Sequence, residues 1–333
     1  MKTNFHIAVI GATGAVGREV IRILEERKIE PKSLRFAASR NSAGGNISFR
    51  GDSITIEELT DSFFKNIDVA ICSAGSAVSK KFIHPDVSKN TVVIDNCSFH
   101  RMDPQIPLVI PEINAHQLDQ RPSKSIIANP NCTTIAMLVP LGAIHRKLPM
   151  EKIICSSYQS VSGAGQKGIE ELKSQVQPGS TSIPNIFPKK IAFNLIPNIG
   201  GLQSDGNSVE EQKMIDETRK ILGNDSIQVA ATCVRVPTFI GHGLSLYVET
   251  KNPLELSEVK KILKNAPGVT VMDDESYPVL EDCKGKDDVY VGRIRHGMTP
   301  NSFQLWVVSD NLRKGAALNA VQILETVSSK NWL

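Results

Sequence analysis

The chain has no apolar run near the roughly 18 residues that a membrane-crossing helix needs, so nothing in it reads as a span. It carries little net charge, +3 over 333 residues. That gives no reason to expect nucleic acid or a membrane surface as a partner, though local basic residues can still meet a small anion. Its six cysteines include no CxxC pair and no Cys/His spacing of a zinc site, and no metal is expected. In a reducing compartment they are expected as free thiols, each by default a small buried hydrophobe. The opening Met1-Lys2-Thr3-Asn4-Phe5-His6 lacks the apolar stretch and small-residue cleavage site of an export signal, which makes the cytoplasm the expected location. There is no internal repeat and no low-complexity tract.

What is present is an ordinary globular composition, 41% hydrophobic and 22% charged, long enough for about two domains. The first part alternates strand and helix patterns. Strands are expected at His6–Ile10, Ser33–Ala38, Asp68–Ser73, Thr91–Asp95 and Ser125–Ala128, with a helix over Val16–Arg27. Strands joined by helical crossovers predict a parallel, doubly wound α/β sheet. After about Pro130 the pattern changes. Strands are expected at Ile153–Tyr158, Ser226–Val236, Gly243–Thr250 and Asn301–Ser309, and helices at Thr133–Lys147, Ser208–Leu222 and Ser257–Asn265, which predicts an α+β second domain. Pro140 should kink or break the first of these helices. The Pro-, Gly-, Asn- and Ser-rich stretch Gln177–Gly206 is long for a plain connection and reads as a dimer arm or an active-site loop. A last helix is expected over Gly315–Val327.

Two segments carry the first chemical signals. Ile10-Gly11-Ala12-Thr13-Gly14-Ala15-Val16-Gly17 is strand, glycine turn and helix start. Gly11 suits the tight turn, Gly14 the approach of a pyrophosphate and Gly17 close helix–strand packing. The free N–H groups of a helix start bind phosphate. The GxxGxxG spacing differs from the commoner GxGxxG. The second strand should end in an acid if the ligand is NAD. It ends instead in Ala38-Ser39-Arg40-Asn41-Ser42, which favours the 2′-phosphate of NADP; a polar surface loop is the plainer alternative.

Among the cysteines Cys132 stands apart. It follows Asn129-Pro130-Asn131 at an expected helix start, where the helix dipole favours thiolate. A nucleophile needs a base, and His242, flanked by Gly241 and Gly243, is the candidate, against a surface-loop histidine. Gln159-Ser160-Val161-Ser162-Gly163-Ala164-Gly165 ends a strand in a glycine-rich loop. Arg235 sits in an apolar strand and reads equally as the partner of a substrate carboxylate or of a structural acid.

Together these segments resemble aspartate-β-semialdehyde dehydrogenases, through essentially the whole chain. The pieces are GATGAVG (Gly11–Gly17), SAGSAVS (Ser73–Ser79), VIDNCS…R (Val93–Arg101), IPLVIPEIN (Ile106–Asn114), NPNCTT (Asn129–Thr134), YQSVSGAG (Tyr158–Gly165), EEQKM (Glu210–Met214), ATCVRVPTFIGHG (Ala231–Gly243), VGRIR (Val291–Arg295) and WVVSDNLRKGAA (Trp306–Ala317). The resemblance implies a Rossmann-type NADP-binding domain, residues 1–130 plus 312–333, and an α+β catalytic and dimerisation domain, residues 131–311. It implies Cys132 as the acyl-thioester nucleophile, Gln159 as the orienting residue and His242 as general acid/base. Arg235 would bind the substrate carboxylate and Glu210 its amino group, with Arg101, Lys213, Asn131 and Ser98 at the phosphate site. Cofactor contacts are implied at Gly11, Thr13, Gly14, Ala15, Val16, Ser39, Arg40, Asn41, Ser42, Ala74, Gly75, Ser162, Gly163 and Asn311. The implied reaction is NADPH-dependent reduction of L-4-aspartyl phosphate to L-aspartate 4-semialdehyde with release of phosphate, in lysine, threonine, methionine and diaminopimelate biosynthesis, by a homodimer or a tetramer. Rival readings are an acylglutamyl-phosphate reductase, a phosphorylating glyceraldehyde dehydrogenase, or a catalytically dead nucleotide-binding relative; Cys132 and His242 speak against the last.

Overall fold

The computed structural model describes residues 4–272, 276–330 and 332; Met1-Lys2-Thr3 of the opening segment lie outside them. The chain divides into two compact units, Met1–Pro130 with Ala316–Leu333, and Asn131–Gly315.

The first unit is built on seven strands: β1 (His6–Ile10), β2 (Ser33–Ala38), β3 (Asn46–Phe49), β4 (Asp52–Glu58), β5 (Val69–Cys72), β6 (Val92–Asp95) and β7 (Ile126–Ala128). Their order is β3-β4-β2-β1-β5-β6-β7. All neighbours are parallel except the β3–β4 hairpin. The central strands read Val-Ala-Ile-Cys and Val-Val-Ile-Asp and are buried at every position, as strands covered on both faces require. Ile7, Val9, Phe36 and Ile71 pack with Val20, Ile23 and Leu24 of helix Ala15–Glu26 and with Val321 and Leu324 of helix Leu318–Ser329. Each such side chain contributes about 1.5–3 kcal/mol by leaving water. The final helix is fixed by polar contacts too: buried Asn319 donates to Val109 O (2.9 Å) and Asn129 Oδ1 (2.7 Å). Strand order reverses at β1, which lies between β2 and β5, and ligands of such sheets bind beyond the carboxyl ends at that point. The β3–β4 hairpin was not expected. It turns at Arg50 and Gly51, both at positive φ (52° and 89°).

The second unit carries β8 (Met150–Gln159), β9 (Gln228–Arg235), β10 (His242–Thr250), β11 (Val269–Val271), β12 (Val289–His296) and β13 (Ser302–Ser309), in the order β11-β12-β13-β10-β8-β9. β8 pairs β9 in parallel and β10 antiparallel. Helix Cys132–His145 is buried from Thr133 through Ile144. Of the kink or break expected at Pro140 the break does not occur, since the helix runs on through it; burial on every side holds the turn that the missing N–H weakens.

The return to the first unit comes at Ala316, later than the expected residue 312, because Asp310 ties the intervening residues down. Its Oδ1 accepts from Leu312 N–H (2.9 Å) and Arg313 N–H (3.1 Å), and its Oδ2 from Gly285 N–H (2.8 Å). Arg313 also pairs with Asp287. Residues Arg313–Ala317 form a wide π turn, so the last α-helix starts at Leu318 rather than Gly315. The stretch 177–206 does two things. Phe187, Ile191, Ala192 and Ile196 build a small core with Val161 and Leu172, while Ile183, Phe193, Leu195 and Leu202 stand largely exposed.

Candidate active site

Three of the expected residues meet by strand register. Gln159, the last residue of β8, is opposite Arg235, the last of β9, and opposite His242, the first of β10. Three side chains far apart in sequence therefore share one end of one sheet. His242 is fully buried, which removes the surface-loop alternative.

Cys132 is the first residue of its helix and Asn131 is the N-cap. Asn131 Oδ1 accepts the N–H groups of Thr133 (2.9 Å) and Thr134 (3.1 Å). The cap also draws on helix Val209–Leu222: Asn131 N–H donates to Glu217 Oε2 (2.6 Å) and its Nδ2 to Glu210 Oε1 (2.8 Å). Two glutamates seven residues apart on one helix face thus hold the turn that presents the thiol. Glu217 was missed in the sequence, where its spacing from Glu210 was the available signal. Cys132 is partly exposed while the other five cysteines are buried.

Cys132 Sγ lies 3.4 Å from His242 Nε2. His242 Nδ1 accepts the Ser160 N–H (3.2 Å) and also faces the Ser160 hydroxyl (3.3 Å). An accepting Nδ1 leaves the neutral ring its proton on Nε2, directed at the sulfur. Burial first, and then the charge of Arg235, push the His242 pKa down to about 3, so the ring is neutral near pH 7. Ser160, also missed in sequence, is the residue that sets this tautomer.

Arg235 is buried and donates from Nη1 to Ser160 O (2.7 Å), and its guanidinium lies 5.9 Å above the Phe187 ring. No carboxylate among the described residues stands within ion-pair reach of it. Burial lowers its pKa. Gly163 packs so closely here that a Cβ would lie 2.6 Å from Arg235 Nη1. Glu210 Oε2 accepts from Lys213 Nζ (3.2 Å). Burial works against its charge, but Lys213 and the Asn131 amide hold its pKa below the usual carboxylate value. Asn311 Oδ1 gathers Gly241 N–H (2.9 Å) and the Ser160 and Ser162 hydroxyls, and its Nδ2 donates to Ser162 Oγ (3.0 Å). This network fixes the loop behind His242.

In the first unit a pocket of about 490 Å³ opens at the carboxyl ends of the strands. Of the expected cofactor residues, Gly11, Thr13, Gly14, Ser39, Arg40 and Ala74 line it; Ala15, Val16, Asn41, Ser42 and Gly75 do not. Gly11 sits at φ 83°, and a Cβ there would lie 2.9 Å from the Ser73 carbonyl; one on Gly17 would lie 2.2 Å from Gly11 O. The loop is a cradle only glycine can make, so the residues fit a dinucleotide. Glu58 and Lys81 also line the pocket and were missed. Glu58 ends β4 opposite Ala38, so an acid absent from β2 comes from its neighbour strand. Ser98 and Arg101 belong to this unit as well. Ser98 Oγ bonds Ser76 Oγ (2.8 Å), and Arg101 Nη2 donates to Asn96 O (2.8 Å). Among the described residues no helix is long and apolar enough to cross a membrane.

Comparison with known proteins gives the family. Residues 6–121 match the family model for the semialdehyde dehydrogenase NAD binding domain, and residues 141–314 that for the semialdehyde dehydrogenase dimerisation domain. The chain is 44% identical to aspartate-semialdehyde dehydrogenase of Bacillus subtilis, over 99% of each chain, and 45% identical to that of Rickettsia bellii, over 98% of each. Among solved structures it resembles Vibrio cholerae aspartate semialdehyde dehydrogenase II complexed with ASA, at 40% identity over 98% of each chain and a TM-score of 0.95. The Candida albicans enzyme crystallised with NADP shares the fold, at 24% identity, a TM-score of 0.78 and coverage of 99% of this chain and 100% of that one. The chain belongs to the aspartate-semialdehyde dehydrogenase family.

Proposed function

We propose that this chain is an NADP-dependent, phosphorylating aldehyde dehydrogenase that interconverts L-4-aspartyl phosphate and L-aspartate 4-semialdehyde through a thioester on Cys132. The observation that carries the reading is the Cys132 Sγ–His242 Nε2 contact of 3.4 Å at a helix start, with Gln159 and Arg235 in register beside it.

In this mechanism the helix start favours the Cys132 thiolate, and His242 Nε2–H donates to the sulfur. The thiolate attacks the acyl phosphate carbonyl; the carbon–sulfur bond forms, the carbon–oxygen bond to phosphate breaks, and phosphate leaves with the electron pair. Bound in the glycine cradle, NADP supplies or accepts the hydride. When the charge moves from sulfur to the substrate oxygen, the Nε2–H shifts its hydrogen bond to that oxygen without giving the proton up; once the acyl carbon has gained hydride, the oxyanion collapses, the carbon–sulfur bond breaks and the Cys132 thiolate returns, which is the acid/base role proposed for His242. Gln159 orients the acyl group. Arg235 binds the substrate carboxylate and Glu210 its ammonium, the pairing that distinguishes aspartate semialdehyde from an N-acylated analogue. Arg101, Lys213, Asn131 and Ser98 bind phosphate. Arg40, with Ser39, meets the 2′-phosphate, while Thr13, Gly14, Ala15, Val16, Asn41, Ser42, Ala74, Gly75, Ser162, Gly163 and Asn311 complete the cofactor contacts. The active form is a cytoplasmic homodimer. The exposed Ile183, Phe193, Leu195 and Leu202 support a face that a second subunit covers.

The test is reduction of NADP⁺ by the purified chain with aspartate semialdehyde. Turnover should require phosphate and should be weaker with NAD⁺ and with N-acylglutamate semialdehyde. Phosphate-independent turnover, or preference for the N-acylated substrate, would overturn the assignment.

A further inference from the structure

The ends of β5 and β6 carry a group of side chains that the reaction does not use. Cys72 ends β5 and is fully buried. Asp95 ends β6 directly opposite it. Cys97 follows in the turn beyond, with its N–H on Asp95 Oδ1 (2.9 Å). Asp95 Oδ2 accepts the Ser79 hydroxyl, so both carboxylate oxygens are oriented by donors. The two sulfur atoms and a carboxylate oxygen lie within 4.8 Å of one another. His100 Nε2, bonded to Ile83 O (3.0 Å), lies 4.0 Å from Asp95 Oδ2.

We propose that Cys72, Cys97 and Asp95 form a binding site for a thiophilic d¹⁰ cation such as Zn²⁺ or Cd²⁺. Three features support it. Two thiols and a carboxylate are a soft, anionic donor set once the thiols lose their protons. Tetrahedral zinc with bonds of about 2.3 Å to sulfur sets its ligand atoms about 3.8 Å apart, inside the 4.8 Å within which these three atoms already lie. The Ser79 hydroxyl and the Cys97 N–H already orient the carboxylate, as outer-shell partners of metal ligands do. Binding releases two thiol protons, one from each cysteine, and forms two metal–sulfur bonds. The site also has a lever on the cofactor pocket: Ser73 and Ala74, which line that pocket, follow Cys72 directly. A loaded site therefore fixes the strand end from which the pocket loop springs.

The experiment titrates Cd²⁺ into the full chain under a phosphine reductant, with Cys132→Ser as background so that the catalytic thiol cannot bind the ion. Because the cluster is buried, each point is left to equilibrate. One equivalent of Cd²⁺ should bind, with the ultraviolet charge-transfer band of two cadmium–thiolate bonds. Adding Cys97→Ser or Asp95→Asn should weaken binding at least tenfold, and Cys97→Ser should roughly halve the band. NADPH binding measured without metal confirms that each variant is folded, and Asp95→Asn serves if Cys97→Ser fails to fold. No band, or a band that survives removal of both Cys72 and Cys97, would overturn the proposal.

Discussion

Replacing Gly163 with alanine would drive a methyl group against the guanidinium of Arg235. The added Cβ would stand 2.6 Å from Nη1, where ordinary contacts begin at 3.4 Å, so Nη1 must retreat by about 0.8 Å. That movement breaks its 2.7 Å bond to Ser160 O. A hydrogen bond from a charged donor is worth about 1.5–3 kcal/mol. If Arg235 holds the substrate carboxylate, the same loss falls on substrate binding, about 10- to 150-fold in kcat/KM. Most of it should appear in KM for aspartate semialdehyde, because the new methyl meets His242 Cε1 at an ordinary 3.5 Å. Steady-state kinetics against both substrates, with a thermal melt as control, reads the effect. An unchanged KM for the semialdehyde with an intact fold would refute the role given to Arg235. So would a loss confined to the KM for NADP⁺.

Arg40→Ala should raise KM for NADP⁺ at least tenfold and leave NAD⁺ almost unaffected, since only the former carries the 2′-phosphate. Glu58→Gln, in the same pocket on the strand beside Ala38, should shift the ratio the other way; equal changes for both cofactors would contradict this. Asn131→Ala removes the acceptor for two helix N–H groups and should cost about 1–2 kcal/mol of stability, seen as a lower Tm. Acidification should also destabilise the chain through His242. Its unfolded ring takes up a proton near pH 6.5, whereas the folded ring resists protonation down to about 3. The unfolded state binds more protons in that window, so this group's contribution falls as pH drops from about 6.5 to about 3, by about 1.4 kcal/mol per pH unit. His242→Gln should flatten that part of a urea-stability profile against pH.

The glycine loop and the helix start were legible in the sequence because each is local. Gly11 and Gly17 announce a turn with no room for side chains, and Asn-Pro-Asn-Cys announces a cap. The meeting of Gln159, Arg235 and His242 was not readable from residues alone. It depends on β8 pairing one neighbour in parallel and another antiparallel, which no local pattern encodes. Family likeness supplied those residues without the reason for their proximity. Glu58 escaped notice for the same cause, since an acid was sought on β2 and it stands on the strand beside it. Ser160 was named only as part of a glycine-rich loop, because the meeting of its N–H with His242 Nδ1 depends on the same strand pairing. At Pro140, where a kink or a break was expected, burial keeps the helix unbroken.

The proposed chemistry turns on a covalent acyl group on Cys132. Mixing the protein with L-4-aspartyl phosphate in the absence of NADPH and recording the intact mass tests it most directly. A gain of one aspartyl group is expected, mapped to the peptide containing Cys132, lost on adding NADPH and absent from Cys132→Ser. An adduct on another cysteine, or steady turnover by Cys132→Ser, would contradict it.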